Sequence, residues 1–190
     1  AYLVRFADDF LIMFQYERDA QRVYEAIIKR MELFGLELSK EKTRILPFGR
    51  YSGSRETFDF LGFTHFNSKT RKGYYTVGHK ISRKKKKQFK SNLKKWVKEN
   101  RNTQFDEFMK ALNKKLTGSF NYYSLSGMIR EVRNLWHHSL YVTFKWINRR
   151  SQRRSFKLER FCEIWNDRII HPYIHVDIWS GDKVIYNKNV

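Results

Sequence analysis

The chain is poor in residues that staple or interrupt a fold. Its one cysteine, Cys162, excludes an internal disulfide and a cysteine-rich zinc site. Cys162 lies among Leu158, Phe161 and Trp165, the setting of a small buried apolar residue rather than a nucleophile. Two prolines and nine glycines leave no repetitive linker. No apolar run approaches the roughly 20 residues of a membrane-spanning helix, and no signal peptide is visible. These absences are compatible with a reducing cytoplasm, where we expect the protein to work. Acidic residues are also scarce: 19 against 39 basic ones, a formal net charge of +20.

That charge is uneven. Residues 1–80 carry 14 basic and 10 acidic side chains, net +4, and residues 81–190 carry 25 and 9, net +16. A field of this kind attracts polyanions and says little about fold. It makes the C-terminal half the expected nucleic-acid surface.

The most pointed local feature is Tyr2-Leu3-Val4-Arg5-Phe6-Ala7-Asp8-Asp9-Phe10-Leu11-Ile12-Met13. Two apolar runs flank a polar break, which predicts two buried strands joined by a tight turn at the aspartate pair. Asp-Asp is a poor hairpin tip compared with Asn-Gly or Asp-Gly, and it sets two like charges side by side. A divalent cation such as Mg²⁺ would offset that repulsion, because it takes hard oxygen ligands. Neighbouring residues of an extended chain point to opposite faces. Asp8 is therefore the expected direct ligand and Asp9 an indirect one. The bland alternative is an acidic turn on an ordinary sheet.

Phe6-Ala7-Asp8-Asp9 followed by an apolar strand resembles the catalytic palm hairpin of reverse transcriptases. Gly35-Leu36-Glu37-Leu38-Ser39-Lys40-Glu41-Lys42-Thr43 looks like the loop after the next palm helix. Phe58-Asp59-Phe60-Leu61-Gly62-Phe63 looks like the primer-grip strand. Leu112-Asn113-Lys114-Lys115-Leu116-Thr117-Gly118-Ser119-Phe120-Asn121-Tyr122-Tyr123 and Trp146-Ile147-Asn148-Arg149-Arg150-Ser151-Gln152 are similar to the thumb, or maturase-specific region, of bacterial group II intron enzymes. The order agrees with the family over about residues 1–155. The resemblance implies an RNA-directed DNA polymerase whose Asp8 and Asp9 take part in a two-metal Mg²⁺ site. The partners it implies are template RNA or intron RNA, RNA/DNA duplex and dNTP.

The family's further palm aspartate and its fingers lie upstream of this hairpin. The expectation is a C-terminal portion that is inactive alone and needs that N-terminal part. The alternative is a maturase-like module that binds intron RNA without chemistry of its own.

The fold expected is α+β: a small antiparallel palm sheet with one packed helix, then an all-α thumb bundle. Residues 1–80 would be palm, 81–155 thumb, and 156–190 a C-terminal extension. In the palm, Asp19 is the expected cap of a helix with the apolar stripe Ala20, Val23, Ile27, Met31 and Phe34, which ends at Gly35. Short strands are expected at 36–38, 44–48, 57–63 and 74–77, with a turn at Lys72-Gly73. In the thumb, Phe89, Leu93, Trp96 and Val97 mark one helix face. Thr103 with Asp106 suggests a capping box for the next helix, and Ser126 a cap for a third. A shorter helix is expected over 156–169, and the tail has strand-like residues at 176–179 and 184–186.

Several residues could carry chemistry besides the aspartates. Lys42, in the loop that the family sets beside the nucleotide, could neutralise triphosphate charge or donate a proton to pyrophosphate; Lys40 is equally placed. In Phe60, Leu61, Gly62 and Phe63, the glycine suggests a bulge or a close backbone approach inside a strand, with the two phenylalanines mostly core. Lys84, Lys85, Lys86, Lys87, Lys90 and Lys94 repel one another along a helix, which phosphate binding would relieve. Tyr122 and Tyr123 could stack on bases, although helical spacing favours core. Arg149, Arg150, Arg153 and Arg154 form the densest arginine cluster, suited to phosphate. His137 and His138 lack a third ligand at metal spacing.

Overall fold

The computed structural model describes residues 1–39, 41–150 and 155–177. The chain divides into two units. The first holds Ala1–Phe60 and His65–Gly78; the second holds Leu61–Thr64 and the chain from His79 onward. Mixed α+β architecture is as expected, with an antiparallel hairpin, a three-stranded antiparallel sheet, and helices gathered in the C-terminal half.

In the first unit, β1 (Tyr2–Phe6) pairs with β2 (Asp9–Met13) from Tyr2↔Met13 to Phe6↔Asp9. These strands are not buried. Every residue of β1 is exposed, including Tyr2, Leu3 and Phe6. The helix α1 (Glu17–Leu33) has no fully buried residue; Ala20, Val23, Ile27 and Met31 of its apolar stripe are half-buried, and Phe34, just past its end, is exposed. Asp19 is not its cap. The helix starts at Glu17 after Tyr16, and Asp19 sits in the first turn, where a carboxylate suits the helix dipole.

The strands expected at 36–38 and 44–48 do not form. Side-chain bonds hold the chain at Arg44 and just beyond that stretch. The Asn67 amide accepts from Gly49 N (3.2 Å) and from the Tyr75 hydroxyl (2.8 Å), and donates to Ser54 O (2.9 Å). Arg44 Nη2 donates to Thr57 O (2.7 Å). The next sheet runs β3 (Thr57–Phe60), β4 (Phe63–Lys69), β5 (Tyr75–Ile81) in that order. The turn at Lys72-Gly73 is present, closed by Thr70 N donating to Tyr74 O (2.8 Å). The stretch 57–63 is not one strand. It breaks at Leu61-Gly62.

The second unit contains the core. The helices α2 (Arg83–Asn100), α3 (Phe105–Tyr123), α4 (Ile129–Ile147) and α5 (Leu158–Arg168) bury Leu93, Val97, Phe108, Leu112, Leu116, Val132, Leu135, Phe161 and Trp165 almost completely. Ser82 caps α2, its hydroxyl accepting from Lys85 N (3.3 Å). Two expected caps are displaced. Gln104, not Thr103, caps α3 by accepting from Glu107 N (3.1 Å). Ser126 is not the N-cap of α4, which begins after Met128, and Ser126 N donates to Val176 O (3.0 Å). The helix at 156–169 is shorter than expected, and Cys162 on it is half-buried rather than buried.

Asn113 Oδ1 accepts from Ile170 N (2.9 Å) and Trp136 Nε1 donates to Ile170 O (3.1 Å), which fastens the chain after α5 to α3 and α4. Val176 makes a single parallel bridge to Leu125; the rest of the strand-like tail, from 178 on, lies outside the described residues. Among the described residues no helix is long and apolar enough to cross a membrane.

Candidate catalytic hairpin and nucleic-acid interface

The tip of the β1–β2 hairpin is Ala7-Asp8, one residue earlier than the aspartate pair. Asp9 is the first residue of β2 and faces Phe6 across the closing pair. A two-residue hairpin turn needs positive φ at its first central position, and Ala7 takes it at 54°. A left-handed L-residue costs roughly 1–2 kcal/mol. The Arg5 guanidinium donates to Ala7 O (2.9 Å) and holds the strained peptide.

The two carboxylates are thus set by different backbones, Asp8 by the turn and Asp9 by the strand. Both are exposed. In donor type they fit a divalent cation. Among the described residues no third Asp, Glu, His or Cys gathers with them. Lys42 is exposed in a turn where its N–H donates to Ser39 O (3.0 Å), and none of the described hydrogen bonds or ion pairs joins it to either aspartate. Lys40 lies outside the described residues.

Phe60, Leu61, Gly62 and Phe63 form a second tight hairpin instead of a bulged strand. Leu61 (φ 51°) and Gly62 (φ 81°) are both left-handed, the signature of a type I′ turn. Gly62 is there because the turn requires positive φ. Within the second unit this tip is held from two helices. The Tyr122 hydroxyl of α3 donates to Leu61 O (2.7 Å), and Ser82 N, at the head of α2, donates to Gly62 O (3.0 Å). Phe63 stacks on Tyr122 (5.6 Å between centroids) and meets Tyr123 edge-on (5.5 Å).

Tyr122 is not core: 52% of it is exposed. Tyr123 is half-buried, and burial pushes its hydroxyl pKa up. Phe60 and Phe63 are also half-buried rather than core. Among the described residues, Ala7 and Leu61 are the non-glycine positions with positive φ, and each sits at the tip of a hairpin singled out from sequence. Strain of this kind concentrates at functional sites.

The basic face is on α2. Lys84, Lys85, Lys87, Lys90 and Lys94 are exposed, while Lys86 is tied to Glu131 of α4 (2.6 Å). The first turn of α2 carries cations and no acid. A helix N-terminus favours anions, so these lysines work against the dipole as well as against one another. Arg149 is exposed beyond α4 and lies over Trp146; half-buried Arg150 lies over Phe105. Arg153 and Arg154 are outside the described residues. Sequence reading passed over Lys98 and Arg101, whose signal was the continuation of Lys94 at helical steps of four and three.

Residues 1–65 match the family described as reverse transcriptase (RNA-dependent DNA polymerase). Residues 86–162 match the group II intron, maturase-specific domain. Together the two matches support the C-terminal region of a group II intron reverse transcriptase/maturase. No curated protein matches it. The reverse transcriptase match contains both aspartates and the Leu61-Gly62 turn. The maturase match contains α3, α4 and α2 from Lys86 on. Both matches imply nucleic-acid partners, RNA among them, and the first implies dependence on a divalent metal.

Proposed function

We propose that this chain is the palm-end and thumb portion of an RNA-directed DNA polymerase of group II intron type, acting in the cytoplasm. In this reading Asp8 and Asp9 supply part of a Mg²⁺ site, and the Leu61-Gly62 turn supports the primer strand. Lys42 serves the dNTP triphosphate. The observation that carries the reading is Asp8 at the tip of a strained hairpin inside the reverse transcriptase match. A divalent ion bound there supplies charge neutralisation at the reacting phosphate. The residues of the chain orient it: Ala7 turns Asp8 outward, and Asp9 is fixed by β2.

Exposed Tyr2, Leu3 and Phe6, with an α1 that has no fully buried residue, support the need for an N-terminal palm and fingers that cover this apolar surface. A second reading, an RNA-binding maturase module, is favoured by the lysines set against the dipole of α2. Both can hold for one protein.

The test is primer extension on poly(rA)/oligo(dT) with Mg²⁺. The chain alone should be inactive, and an N-terminal palm and fingers part should restore incorporation. In the restored enzyme Asp8→Asn should reduce the rate by orders of magnitude. Near-normal rates with Asp8→Asn, together with loss in Asp9→Asn, would reverse the assignment of the direct ligand. Clear incorporation by the pure chain would refute the need for a second part.

A further inference from the structure

The lysine run is the start of a longer feature. Lys84, Lys87, Ser91, Lys94, Lys98 and Arg101 follow at steps of three or four residues. At 3.6 residues per turn these positions share an arc of roughly 100°, and they extend about 25 Å along α2. The four lysines are exposed and Arg101 is half-buried. Among the described residues none of these five cations is in an ion pair. The one acid of α2, Glu99, falls outside the arc.

The far end of this stripe is a crowded site. Lys98 Nζ (5.7 Å), Arg101 (5.5 Å) and Arg149 (5.5 Å) all lie over the half-buried ring of Trp146. The C-terminal dipole of α2 and α4 and the face of the indole favour cations here. Three cations on one ring nevertheless exceed what one ring offsets, and a bound anion would complete the balance. At the near end, Lys84, Lys87, Gln88, Ser91 and Asn92 line a shallow groove. Its amide and hydroxyl groups suit sugar hydroxyls as well as phosphates.

We propose that this face of α2 binds the phosphate backbone of one RNA strand along its length, with Lys98, Arg101 and Arg149 around Trp146 holding a phosphate at the far end. The proposal rests on the RNA-binding part of the function above and names its surface. An anionic membrane is the weaker occupant. A helix lying on a bilayer needs a free apolar face, and α2 buries Leu93 and Val97 in the bundle.

The test uses the full chain and a labelled RNA hairpin, titrated with salt. On a regular duplex, Lys84→Gln/Lys87→Gln should flatten the slope of log K against log[salt] by up to about 1.8, and Lys98→Gln/Arg101→Gln/Arg149→Gln by up to about 2.7. The two sets together should add. Lys110→Gln/Lys145→Gln, exposed on α3 and α4, should leave the slope unchanged. Arg101→Lys/Arg149→Lys keeps the charge and should keep the slope.

Acetylation of the wild-type chain supplies a readout that no variant can spoil by misfolding. Bound RNA should protect Lys84, Lys87, Lys94 and Lys98, and leave Lys110 and Lys145 reactive. An unprotected Lys98, or equal flattening by the Lys110/Lys145 variant, would overturn the stripe. Tighter binding to phosphatidylserine vesicles than to RNA would overturn the choice of ligand. None of these outcomes depends on polymerase activity, so failure of the complementation assay would leave this result standing.

Discussion

At the residue scale, the Leu61-Gly62 turn is the clearest case of a local cost carried by distant partners. Leucine at φ 51° is unfavourable by roughly 1–2 kcal/mol. The Tyr122 hydroxyl on Leu61 O opposes that cost from 61 residues away. Tyr122→Phe should lower stability by about 1 kcal/mol, the usual net worth of one hydrogen bond. Tyr122→Ala should cost about 1 kcal/mol more, because the stack on Phe63 goes as well. Urea unfolding measures both. The salt slope of RNA binding should not change in Tyr122→Phe, since no cation is lost.

His138 gives a pH test at the same scale. Burial first, and then nearby Lys90, hold its pKa below the ordinary histidine value. Its neutral form is favoured in the folded chain. That contribution is complete above the unfolded pKa, about 6.5, and is lost as pH falls toward the lower folded value. From pH 7 to pH 5 wild type should therefore lose more stability than His138→Gln. Equal losses would show that the ring is free in the folded chain.

At the element scale, long periods were legible and short runs were not. The faces of α2, α3 and α4 repeat their apolar positions over several turns, and those helices lie where the pattern puts them. Leu36–Leu38 and Arg44–Phe48 offered only short apolar runs, which fit strand, helix or loop alike. The bonds that do hold this part of the chain are long-range ones that no local window contains: Arg44 to Thr57 O, and the Asn67 amide to Gly49 and Ser54 just beyond the second run.

The hairpin tips show the same limit. Asp8 and Asp9 were legible as a pair, yet the register Phe6↔Asp9 moves the turn onto Ala7. Gly62 was legible as a special position, but as a bulge or a close backbone approach inside a strand rather than a turn. None of the expected caps, Asp19, Thr103 and Ser126, holds a helix start, whereas Ser82, which sequence reading did not name as a cap, caps α2. Ser82 is 3% exposed, and its N–H also meets Gly62 O. Ser82→Ala should cost about 1 kcal/mol from the cap while keeping that backbone bond. Thermal unfolding should show the loss, and Thr103→Ala, at the cap position the sequence suggested, should show almost none.

At the scale of the whole molecule, the two units differ in what stabilises them. The second has a core in which Val97, Leu112, Leu116, Phe161 and Trp165 are fully buried. The first has a 17-residue helix with no fully buried residue and a hairpin whose first strand is exposed throughout. An unsupported helix of about this length is marginal in water, and an isolated two-stranded hairpin is no better. Amides of α1 should therefore open at a small fraction of the global free energy, while those of α3 should open only with the bundle. Hydrogen exchange followed by mass spectrometry separates the two directly: α1 peptides should exchange orders of magnitude faster than α3 peptides. Addition of an N-terminal palm and fingers part should then slow α1 and leave α3 as it was, because exposed Tyr2, Leu3, Phe6, Leu33 and Phe34 lie in the first unit, whereas α3 is anchored in the buried core of the second. If α1 were already as protected as α3 in the chain alone, the half-buried stripe would need no further cover, and the proposed palm partner would lose its structural support.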